Sequence, residues 1–239
     1  MTDKVITATN VDQFAYICSN QDAVFCRGIV LVFHGLGGGN EISSLGPIEE
    51  YPLAKDYILV YPYNSPWSWM NDAAVKMTDE IVDAVIERFR LAEDTPIIST
   101  GGSMGGLASL VYCCYAKRTP SACAANCPVC DLPYHFTERT DLPKTLYCAF
   151  AHYAVGFEEA LKSASPVHLI HKMPNIPYYI AHCGADCSVN KQKHSDVLVP
   201  AMREQGFSVV YDEVPGKGHC ELDGEHLERY YSFIFGGGK

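Results

Sequence analysis

No apolar run in this chain is long enough to span a membrane: the longest, such as Gly28-Ile29-Val30-Leu31-Val32-Phe33, are the length of a strand. Met1-Thr2-Asp3-Lys4 leads into no basic-then-apolar leader, so the expectation is a chain without a signal peptide, in the cytoplasm. Basic stretches are missing as well. With Lys+Arg at 18 against Asp+Glu at 28, the net charge of −10 argues against nucleic-acid and membrane partners. No internal repeat appears.

What is present fits a globular chain. Its 239 residues, 48% hydrophobic and 19% charged, suit a single α/β domain with a sizeable core. The eleven cysteines are many. In a reducing compartment they read as small buried hydrophobes. Cys127-Pro128-Val129-Cys130 is a C-x-x-C, but no second pair follows at metal-ligand spacing, and it comes after a strand. Packing thiols are therefore expected, with no metal and no cofactor.

Strand and helix patterns alternate. Strands are expected within Val5–Phe25, at Ile29–Phe33, Tyr57–Tyr61 and before Ser103, then at Ala122–Asn126, Ile176–His182 and Ser208–Val214. Helices are expected over Asp72–Leu91, capped by Asn71 or Asp72, after Ser103, and over Asn190–Gln205 and Gly224–Phe235. Such alternation means a mostly parallel sheet with helices on both faces. Between 132 and 175 the pattern breaks into mixed Pro, His, Tyr and charge, with Phe157–Ser163 as its one clear helical piece. That stretch is expected to be a small cap insertion.

The organising stretch is Pro96-Ile97-Ile98-Ser99-Thr100-Gly101-Gly102-Ser103-Met104-Gly105-Gly106-Leu107. A β-branched run, a Gly-rich turn and a helix surround G-x-S-x-G, the context in which a serine is held up on a sharp turn as a nucleophile. Serine needs a base, and the base an orienting carboxylate. In a parallel sheet these belong on loops at the carboxyl ends of later strands. Asp186 follows the Ile176–His182 strand and His219 the Ser208–Val214 strand, giving the order Ser103…Asp186…His219.

From Ile29 to the last helix the chain resembles an α/β-hydrolase. It is similar to the small esterase-like relatives of the prolyl oligopeptidase (S9) catalytic domain. The residues that carry this are His34-Gly35-Leu36-Gly37-Gly38, Gly101–Gly106, Ser165-Pro166-Val167-His168, Ile180–Val189 and Gly216–His219. The resemblance implies Ser103 as nucleophile, His219 as base then acid, and Asp186 as orienting carboxylate. Ala185 stands where a second glycine is usual and Cys187 where a polar residue is common, and neither touches a catalytic atom. An oxyanion hole is expected from the main-chain N–H of Met104 and of Leu36, with Gly37 as runner-up. His34 is expected to bond loop backbone.

Asp131 is the rival acid. His182 reads as a core histidine, and His135, His152, His168 and His171 as satisfied histidines rather than metal ligands. Trp67, Trp69, Tyr134, Phe150 and Tyr153 are candidates for an aromatic-accepting pocket, the alternative being that they form the cap's own core. The expected activity is a serine carboxylesterase on small acyl or aryl esters, including hydroxycinnamoyl or acyl-sugar substrates, through an acyl-enzyme. The alternatives are an S9-like peptidase on short peptides and a non-catalytic ligand-binding member of the fold. The partner expected is a small-molecule ester, and the sequence leaves self-association open.

Overall fold

The computed structural model of the chain describes residues 5–19, 26–38 and 46–238. In chain order the described elements are β1 (Ala15–Cys18), β2 (Ile29–Phe33), α1 (Pro47–Glu50), β3 (Ile58–Pro62), α2 (Asp72–Phe89), β4 (Ile97–Gly102), α3 (Met104–Tyr115) and β5 (Ala122–Asn126). Then come α4 (Leu132–Glu138), α5 (Leu142–Phe150), α6 (Phe157–Lys162), α7 (Pro166–Leu169), β6 (Tyr178–Cys183), α8 (Ser195–Glu204), β7 (Val209–Val214) and α9 (Gly224–Phe235). The strands form one sheet in the order β1-β3-β2-β4-β5-β6-β7. All neighbours are parallel except β1 and β3, which pair antiparallel from Ala15 opposite Pro62 to Cys18 opposite Leu59.

Strand β2 is apolar throughout because both its faces are covered. Ile29, Leu31 and Phe33 join the cluster that holds Ile81 and Val85 of α2 and Leu107 and Val111 of α3. Val30, pointing the other way, packs with Tyr230, Phe233, Ile234 and Phe235 of α9. Asn71 caps α2, its side chain accepting the Ala74 N–H at 3.0 Å. Arg90, left-handed at φ 53°, ends that helix.

Two expectations change. Among the described residues the N-terminal part holds one strand, β1, preceded by a 3-10 turn over Val11–Gln13. Of the Val5–Phe25 stretch expected to hold strands, residues 20–25 lie outside the described residues. The insertion carries four helices, α4–α7, rather than Phe157–Ser163 alone. Three of them have proline in their first two positions, which suits a helix start and interrupts anything earlier. Helices so short show too few turns for periodicity to reveal them. Their Leu132, Leu142, Leu146, Phe150, Leu161 and Leu169 belong to the same cluster as β2, α2 and α3. The insertion is thus packed onto the body as part of its core.

All eleven cysteines are free thiols. Cys127 and Cys130 do not work as a pair: Cys130 is buried with Met173 and Leu198, Cys127 with Cys183 and Val214. No helix among the described residues is long and apolar enough to cross a membrane.

Candidate active site

Ser103 sits between β4 and α3 at φ 60°, ψ −123°, a conformation that non-glycine residues rarely adopt. Its geometry needs bare backbone on either side. A Cβ at Gly101 would lie 2.5 Å from the Gly105 carbonyl oxygen, and one at Gly105 2.2 Å from that of Phe33. The Ser103 N–H donates to the Asn126 carbonyl at 2.9 Å, which ties the turn to the end of β5.

Asp186 lies three residues beyond β6 with its side chain fully buried. Its Oδ1 accepts the N–H groups of Ser188 (2.8 Å) and Val189 (3.0 Å). Its Oδ2 accepts Nδ1–H of His219 at 2.7 Å, and His182 Nε2 lies 3.5 Å away. Burial opposes ionisation, but His182, His219 and the two main-chain donors together hold the carboxyl well below the usual range. His219, in the loop after β7, loses by burial and gains more from Asp186 and the neighbouring Cys127. Its pKa is raised to about 9. The acid and the base expected from the sequence are therefore brought into contact.

Ser103 is not yet joined to them. Among the described residues no hydrogen bond links its Oγ to His219, whose Nε2 instead lies 3.7 Å from Cys220 Sγ. Catalytic hydrogen bonds of this kind are often open until substrate arrives. Asn126 was not singled out in the sequence, yet it holds both sides of the site. Its main-chain oxygen takes the Ser103 N–H, and its side-chain N–H2 donates to the Cys220 carbonyl at 3.2 Å. The available signal was a polar residue closing an otherwise small and apolar strand.

His182 is the core histidine expected, 0% exposed. Its Nε2–H donates to the Val189 carbonyl at 3.2 Å, and Nδ1 accepts from Ser195 Oγ at 2.7 Å. From within β6 it also backs Asp186, four residues on in the loop that follows, a role the sequence reading did not give it. The rival acid Asp131 caps α4 instead, accepting the Tyr134 N–H at 3.1 Å. His34 Nδ1–H donates to the Gly35 carbonyl at 2.8 Å, the backbone role expected of it.

Of the oxyanion candidates, Gly37 is corrected: its N–H already donates to the Pro66 carbonyl at 2.9 Å. Met104 opens α3, whose N-terminal dipole favours negative charge. Leu36 lies in the turn closed by the Gly38 N–H to the Gly35 carbonyl at 3.1 Å. The pocket candidates separate. Trp69 and Phe150 are each 1% exposed and belong to the core, Trp69 donating to Thr145 Oγ1 at 3.1 Å. Burial therefore corrects both to packing residues. Tyr153 takes the Asp72 N–H at 2.8 Å. Trp67 is exposed beneath Lys144, and Tyr134 lines a cleft of about 750 Å³ with Asp186, Glu138 and Lys191.

His135, Glu138 and His194 form a buried network that fastens α4 to the start of α8. Glu138 accepts from His135 (2.6 Å), His194 (3.1 Å) and the Asn190 N–H (2.6 Å). His194 Nδ1 accepts from the N–H groups of Cys130 and Asp131, so its Nε2 must be the donor to Glu138. Both histidine contacts are thus hydrogen bonds in which the ring nitrogen facing Glu138 is the donor.

No family model and no curated protein sequence matches the chain. Similar solved structures include a puromycin-hydrolyzing peptidase of Mycobacterium tuberculosis (TM-score 0.74, 16% identity, 93% of this chain and 37% of that one). Dipeptidyl peptidase 4 of Porphyromonas gingivalis gives 0.69 and 18%, over 93% and 33%. Esterase 2 of Thermogutta terrifontis gives 0.64 and 16%, over 92% and 86%. The chain spans about a third of the length of the two peptidases and most of that of the esterase. With its open, mostly parallel sheet, its strand-turn-helix at Ser103 and these structural neighbours, the chain has the α/β-hydrolase fold.

Proposed function

We propose that the chain is a serine hydrolase that cleaves carboxylic esters of small acyl or aryl groups through an acyl-enzyme. The observation that carries this reading is the 2.7 Å bond between His219 Nδ1 and the buried Asp186, on loops at the carboxyl ends of strands in the sheet that carries Ser103. In this reading His219 Nε2 takes the proton of Ser103 Oγ as the oxygen attacks the ester carbonyl carbon. The developing oxyanion is met by the N–H groups of Leu36 and Met104. Collapse expels the alcohol oxygen, which receives the proton from His219. Water, deprotonated by the same imidazole, then attacks the acyl group, releasing the acid and returning the proton to Ser103. Asp186 holds Nδ1–H in place so that Nε2 presents its lone pair.

Peptide hydrolysis is the second reading, favoured by the likeness to two peptidases at the higher TM-scores. An ester and an amide of one acyl group distinguish the two. The test is a chain-length series of nitrophenyl esters with a hydroxycinnamoyl ester, using wild type and Ser103→Ala. Turnover by wild type that falls by about 10³-fold or more in the variant supports the reading. A wild type inert on every ester, and unlabelled at Ser103 by a fluorophosphonate, overturns it in favour of a ligand-binding protein.

A further inference from the structure

Two cysteines that the proposed reaction does not use stand beside its base. Cys127 follows β5, and Cys220 follows His219 in the loop after β7. Cys127 Sγ, Cys220 Sγ and a ring nitrogen of His219 all lie within 4.8 Å of one another. The nitrogen is Nε2, since Nδ1 is bonded to Asp186, and it lies 3.7 Å from Cys220 Sγ. A tetrahedral ion with Zn–S of about 2.3 Å and Zn–N of about 2.0 Å requires a separation of about 3.6 Å between such ligands.

We propose that Cys127, Cys220 and His219 form a zinc-binding site that holds the ion on the face of the imidazole which Ser103 must use. Their surroundings are already those of a metal site. The Nδ1–H of His219 donates to buried Asp186, the carboxylate–histidine arrangement that fixes the tautomer of a metal ligand. Cys127 Sγ accepts the main-chain N–H groups of Cys183 (3.3 Å) and Cys220 (3.4 Å), which orient it; the Cys220 contact and burial push its thiol up, so it is the charge of the ion that would draw off the proton. Both cysteines have left-handed backbone, φ 45° at Cys127 and φ 61° at Cys220, unusual for residues with a side chain. Two thiolates and an imidazole select zinc over magnesium or calcium. Cys127 is buried while His219 and Cys220 are half-exposed, so an ion has an entrance and water can fill the fourth position.

In the other described clusters, His194 and His135 donate to Glu138, and His182 Nε2 donates to Val189, so those ring nitrogens already carry their protons in hydrogen bonds. Binding at Cys127, Cys220 and His219 releases the two thiol protons and, where His219 is in its imidazolium form, the Nε2 proton as well. It also occupies the lone pair that would take the Ser103 proton, so a bound ion switches hydrolysis off. Only this last consequence rests on the proposed function; the binding does not.

The test titrates the reduced, metal-free full chain with Co²⁺ and displaces it with Zn²⁺. The comparison is with Cys127→Ser, Cys220→Ser and a Cys148→Ser/Cys187→Ser control that removes the two exposed thiols. One equivalent bound with a thiolate charge-transfer band, kept in the control and weakened about 100-fold or more in either site variant, supports the site. Equal affinity in wild type and Cys220→Ser, or no such band at one equivalent, overturns it. Cys220 is half-buried, so that variant serves even if Cys127→Ser does not fold. Zn²⁺ inhibition of ester turnover, reversed by EDTA and scaled to each variant's own metal-free rate, then reads the consequence. A chain that binds as expected but hydrolyses no ester keeps the site and loses the hydrolase reading.

Discussion

A Cβ on Gly105 would stand 2.2 Å from the carbonyl oxygen of Phe33, so α3 meets the end of β2 at the main chain itself. This contact leaves no room for a side chain and fixes where Ser103 is presented. Gly105→Ala is expected to cost about 1–3 kcal/mol of stability or more, read as a lowered urea midpoint, because backbone rather than a yielding side chain fills the space. Gly156→Ala, whose new carbon meets nothing within 4 Å, is the control, expected within about 0.5 kcal/mol.

The Asp186–His219 pair predicts an alkaline activity profile. The base must be unprotonated to act, so kcat/KM is expected to rise with pH through about 9, where His219 titrates. Asp186→Asn is expected to move that limb down towards the ordinary histidine value and to lower the rate about 10⁴-fold. Folding favours the protonated imidazole, so its stabilisation is complete below the ordinary histidine value of about 6.5 and fades as pH rises through about 9. An acid limb in wild type that lies near pH 6.5 and does not move in the variant would contradict this.

Glu138 accepts three hydrogen bonds, two from buried histidines, and removing its charge strands them. Although burial opposes ionisation, His135, His194 and the Asn190 N–H hold its carboxyl down to about 2. Glu138→Gln is expected to lose roughly 1.5–3 kcal/mol at neutral pH. The wild-type contribution is present above the ordinary glutamate value of about 4.3 and falls away as pH drops towards 2, so the two proteins should converge in acid. Denaturation midpoints across that range check it.

The aromatic candidates divide by burial, and mutation should divide them the same way. Phe150→Ala is expected to destabilise by about 3–5 kcal/mol through the cavity it leaves in the core. Tyr134→Ala, at the edge of the cleft beside Asp186, is expected to change KM among the esters with little loss of stability. A Tyr134 variant with unchanged KM on every ester would remove it from the substrate wall.

Strand–helix alternation was legible because a parallel strand covered on both faces is apolar throughout, as β2 is. The helix α2 was legible because its eighteen residues complete enough turns to show a buried stripe. Of the helices between 132 and 175 only α6 was legible; α4, α5 and α7 were not, since proline starts and four to nine residues leave no period to read. Ser103, Asp186 and His219 could be singled out as candidates because each carries a local signature: a glycine-lined turn, or a position just past a strand.

What the sequence alone determined is the order of elements, the serine on its turn, and a candidate acid and base on later loops, all consequences of backbone sterics and hydrophobic period. The tertiary structure decided the rest. It spent Gly37 on Pro66, buried Trp69 and Phe150, set His182 behind Asp186, and gathered Cys127 and Cys220 around His219. None of these follows from spacing, because each depends on which loops of the sheet lie side by side, and that is fixed by strand order and packing rather than by neighbours along the chain.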